Sequence, residues 1–95
     1  MSVASYMDFR GHSIVENSTV MNGAVEVEYR VKYNAPWVTA RVEWHVDEPL
    51  FGDIHFRMVD AGRKLRNTKA DQERVFEVVR VARNWWRRWY EAQRG

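Results

Sequence analysis

The chain has 95 residues, 45% hydrophobic, 29% charged and 14% aromatic, with a net charge of +2 and no cysteine. These values describe one globular domain over residues 1–95 and exclude a disordered polyelectrolyte, a disulfide framework and a thiolate metal site. Charge is uneven: residues 1–47 hold 4 basic and 6 acidic side chains, whereas residues 48–95 hold 11 and 7, so an anionic partner is expected to prefer the C-terminal half.

In chain order, the first signal is the absence of one. Residues 1–6 lack the basic segment followed by an apolar stretch that marks a secretory leader. No apolar run reaches the ~20 residues of a membrane span. With no thiols to oxidise, a cytoplasmic protein without a membrane partner is expected. Asn22-Gly23 is the dipeptide that suits a two-residue type I′ turn, which predicts an earlier strand over about 12–21.

Residues 24–33 alternate Val25, Val27, Tyr29, Val31 and Tyr33 with Glu26, Glu28, Arg30 and Lys32, the pattern of a strand with one dry and one wet face. Residues 38–47 repeat it with Val38, Ala40, Val42, Trp44 and Val46, and residues 53–59 with Ile54, Phe56 and Met58. Short connections favour an antiparallel meander in the order 1-2-3-4. Charge and apolar matching predicts Trp44 opposite Phe56, Glu43 opposite Arg57 and His45 opposite His55. For the preceding pair it predicts Tyr29 opposite Trp44, which brings Glu28 to His45.

From Thr68 the period changes. At 100° per residue, Val78, Val79, Ala82, Trp85, Trp86, Trp89 and Tyr90 lie within about −80° to +60° of Val75. This is a long helix with a broad apolar face, capped by Thr68 or Asn67 and carrying Asp71 and Glu73 in or near its first turn. The expected fold is therefore α+β, a four-stranded antiparallel meander with one long C-terminal helix on its apolar face.

Three groups of residues are candidates for function. The loop 62–69 gathers Arg63, Lys64, Arg66 and Lys69 without an acid, just before the helix N-terminus, where free backbone N–H groups attract phosphate. Arg80, Arg83, Arg87 and Arg94 form a stripe beside the apolar face. Together these would serve a nucleic-acid partner. A protein partner or a homodimer would instead use the edge strands, Leu50 and Phe51 beside Pro49, or Trp85 at the boundary of the apolar arc. The wet-face row of Glu28, His45 and His55 has the residue types for zinc or proton transfer. There is no nucleophile elbow, phosphate-binding glycine loop or His-Glu-x-x-His motif, so neither an enzyme nor a cofactor is expected.

The opening Phe9-Arg10-Gly11-His12-Ser13-Ile14 and the closing Ala82-Arg83-Asn84-Trp85 resemble a group of small uncharacterised bacterial proteins that begin Tyr/Phe-Arg-Gly-x-x-Ile and end in an Ala-Arg-x-Trp helix. That resemblance implies a small α+β domain and no activity. Gly62-Arg63-Lys64 and Lys69-Ala70 are similar to the basic entry to the last helix of double-stranded-RNA-binding domains. The family's doubled lysine and long first helix are missing from this chain.

Overall fold

In the computed structural model, residues 7–46 and 53–94 are described. Four strands, β1 (Asp8–Ile14), β2 (Asn22–Arg30), β3 (Val38–Val46) and β4 (Ile54–Asp60), form an antiparallel meander in the order β1-β2-β3-β4. One helix, α1 (Lys69–Arg94), packs across it. The alternating pattern dictates this arrangement. Val25, Val27 and Tyr29 on β2 and Ala40, Val42, Trp44 and Val46 on β3 are buried, and Val78, Ala82 and Trp86 of α1 close over them.

The register of β3 against β4 is the predicted one: Val42 faces Met58, Glu43 faces Arg57, Trp44 faces Phe56 and His45 faces His55. That of β2 against β3 is not. Tyr29 lies opposite Val38, and Gly23 opposite Trp44. The glycine explains the difference. A Cβ on Gly23 would stand 2.6 Å from Trp44 Cζ2 and 2.5 Å from the Ser18 side chain, so residue 23 is the bare spot over which the indole lies. Gly23 therefore belongs to β2 rather than to a turn.

Nor is β1 where the Asn-Gly signal placed it. It spans Asp8–Ile14, and the chain turns at Glu16 and Asn17, the latter with φ of 70°. Ser18 closes this turn by donating to the Val15 carbonyl (2.6 Å) and accepting from the Ala24 N–H (3.2 Å). Trp44 Nε1 donates to the Thr19 carbonyl at 3.2 Å, which ties the turn to the core. β2 also ends earlier than its alternation suggests, leaving Tyr33 in the following turn and 74% exposed.

A β-bulge between Arg10 and His12, at Gly11 with φ of 62°, shifts the phase of β1. Arg10 stays beside Glu28, while His12 comes opposite Val27, on the side facing the helix. At the far end of the sheet the Tyr29 hydroxyl donates to the buried Ala61 carbonyl at 2.6 Å and anchors the start of the loop leading to α1. Tyr29→Phe should lower stability by about 1 to 2 kcal/mol, seen as a lower urea midpoint at unchanged slope, because that carbonyl loses its partner.

Candidate interaction surface

The tryptophans of α1 are largely consumed by packing. Trp86 stacks on Tyr90 (5.1 Å between centroids), meets Phe56 edge-on (5.5 Å) and inclines toward Trp44 (6.4 Å), while Trp89 lies 5.3 Å from Trp44. Trp85, expected to be open to a partner, is instead half-buried and stacked 3.5 Å from His12, with Arg88 Cζ 4.7 Å from its ring. The β1 bulge is the reason, since it turns His12 toward the helix. Loss of water contact and the nearby Arg88 charge hold the His12 imidazole below its usual pKa.

The basic loop is less open to phosphate than its composition implies. Asp71, only 3% exposed, sits at the helix start and fills the anion position itself. It accepts from the Arg66 N–H (2.7 Å), from Arg74 Nη1 (2.8 Å) and from Arg63 Nη1 (3.4 Å). Thr68 caps the helix by accepting from the Asp71 N–H at 3.2 Å. Arg63 is thus compensated by an acid eight residues further on, just past the basic loop 62–69. Lys64, Arg66 and Lys69 remain exposed.

The arginine stripe is also partly engaged. Arg80 donates to Glu77, and Arg83 lies over the Phe56 ring, its Cζ 5.2 Å from the centroid. Arg87 is exposed, and Arg94 stands at the helix end.

On the open face of the sheet, His45 and His55 are neighbours, but Glu28 lies opposite Thr39 while Asn22 holds the place beside His45. The three-residue row therefore does not form, because the real β2–β3 register moves Glu28 toward the other end of the sheet. No cluster of three or more metal-ligating side chains occurs among the described residues. The open face also carries an aromatic ring. Trp37 lies under Arg10 (4.2 Å) and Arg30 (4.7 Å), which are held by Glu28 and Asp8 respectively. Leu50 and Phe51 fall outside the described residues.

The two sheet edges differ. β1 is divided by its bulge, and its open side carries Arg10, Gly11 and Ser13. On β4 the irregularity comes late: Arg41 pairs with Asp60 and Val42 with Met58, so Val59 is the extra residue and Ile54 to Met58 run straight. On the helix, Phe76 is 71% exposed and stands toward the Val59 end of β4. Phe76 lies seven residues before Arg83 and so on the same flank of α1, about 10 Å nearer the helix start. Since Arg83 reaches over Phe56, that flank is the β4 side. Ile54 (37%) and Val59 (39%) continue the apolar exposure along the strand. A lone phenylalanine among the charged residues of an amphipathic helix was visible in the sequence, but its significance depends on the edge strand beside it.

Comparison with models of known families, with curated proteins and with solved structures finds no match for the chain. No helix among the described residues is long and apolar enough to cross a membrane.

Proposed function

We propose that this protein is a non-enzymatic interaction module that docks a partner along β4 and the flank of α1 above it. The observation that carries the reading is an exposed phenylalanine, Phe76, on a helix that packs over a sheet whose edge strand β4 is paired on one side only. An edge strand offers backbone hydrogen bonds for strand addition, and apolar side chains next to it supply the burial that makes such an addition stable. The nucleic-acid reading has weaker support, since Asp71 already takes the helix N-terminus and Arg63 with it.

Peptides selected for binding from a random library should perturb the amide signals of residues 54–58 and 76. Phe76→Glu should abolish their binding while changing stability by no more than about 0.5 kcal/mol, as expected at an exposed helix position. Selected peptides that map elsewhere would overturn the proposal. So would tight binding of short RNA or DNA duplexes that disappears when Arg63, Lys64, Arg66 and Lys69 are all changed to glutamine.

A further inference from the structure

We infer that the segment received by β4 is an extended strand of another protein in which acidic and apolar residues alternate. The inference rests on the docking reading above and specifies its occupant. Along β4, Phe56 and Met58 point to the helix-covered side and are partly buried, while His55 and Arg57 point to the open face. An added strand continues both rows. Its residues on the helix side would meet Phe56, Met58 and the exposed Phe76 and must be apolar. Those on the open face would meet Arg57, whose side chain is 81% exposed.

The protein's own sheet shows what such a position accepts. Every internal ladder sets an acid against an arginine on the open face: Asp8 with Arg30 and Arg10 with Glu28 between β1 and β2, Glu26 with Arg41 between β2 and β3, and Glu43 with Arg57 between β3 and β4. Two of these are close ion pairs, at 2.7 Å for Arg30–Asp8 and 3.4 Å for Arg10–Glu28. Arg57 approaches Glu43 at 4.0 Å on its inner side, and its outer side is where a fifth strand would place the next residue. By the same rule that residue is an acid.

Charge also argues against a second copy of this chain as the occupant. Antiparallel pairing of β4 with itself about Arg57 sets Arg57 against Arg57. Pairing about Phe56 sets His55 against Arg57, and pairing about Met58 sets Phe56 against Asp60. Pairing about His55 does set Asp53 against Arg57 and Ile54 against Phe56, but it reaches only residues 53–57 and leaves Met58 to Asp60 beyond the paired segment, while like charges directly opposite one another disfavour the register about Arg57. A foreign strand is free to satisfy both.

The test uses the full chain and two labelled peptides matching the seven residues of β4. One alternates valine with glutamate and the other valine with lysine, and binding is followed by fluorescence anisotropy. The glutamate peptide is expected to bind roughly five- to tenfold more tightly, and Arg57→Glu should reverse the preference. Equal affinity for both peptides, binding of neither, or a preference that survives Arg57→Glu would overturn the inference. Library peptides that map to β4 without an acidic alternation would overturn it too, while leaving the docking site in place.

Discussion

Trp86→Ala should destabilise the fold by about 3 to 5 kcal/mol, a large part of the roughly 5 to 15 kcal/mol available to a domain. Trp86 is 6% exposed and touches aromatic rings from β3, β4 and its own helix, so truncation opens a cavity that no single neighbour can fill. Trp86→Phe should cost less. Its indole Nε1 has no hydrogen-bond partner among the described residues, so the smaller ring gives up packing without giving up a bond. Urea denaturation of the two variants checks this order. A midpoint for Trp86→Ala equal to the parent's would contradict the packing of α1 on the sheet.

The second large effect is expected at Asp71. Replacing it with alanine removes the acceptor for the Arg66 N–H and the counter-charge of Arg74 and Arg63 in one step. Breaking a buried pair by deleting one partner costs about 3 to 5 kcal/mol. Because the Arg74 and Arg63 side chains keep 24% and 31% of their exposure, water screens part of this, and about 2 to 3 kcal/mol is expected. The same contacts give a pH signature. The Arg66 N–H first, then Arg74, hold the Asp71 carboxyl below its ordinary 3.8, against the opposing effect of burial. The unfolded chain therefore binds this proton at a higher pH than the folded one. Asp71 contributes its full stability above the ordinary value, and that contribution disappears as pH falls through the lowered native value. Asp71→Asn should flatten this acid limb in thermal unfolding measured across pH, and an unchanged limb would show that Asp71 does not carry it.

The parts of the fold governed by strict alternation are legible in the sequence. The dry residues of 24–29 and 38–46, the helix-covered face and the β3–β4 register from Val42 to Val46 follow from period and cross-strand chemistry, whereas the bulge at Val59 does not. What failed depended on shape. Asn22-Gly23 has the chemistry of a turn, but Gly23 is required beneath the Trp44 ring, so the turn moved to Asn17 and the β2–β3 register moved with it. That one shift separated Glu28 from the histidines. The bulge at Gly11 placed His12 against Trp85, closing a surface that helical angles alone leave open. At the basic loop the error was one of range: the compensating acid, Asp71, lies just past 62–69 and is drawn into it by the Thr68 cap. Phe76 could be read as exposed from its angle, yet only the meander order shows that it lies next to an edge.

The most direct test of docking at β4 is an amide-resolved NMR titration of the full chain with the valine-glutamate peptide. Shift changes should concentrate at residues 54–58 and at Phe76, and the β4 amides should become more protected from hydrogen exchange as the added strand pairs with them. Shifts confined to 62–69, or no change along β4 at saturating peptide, would contradict it.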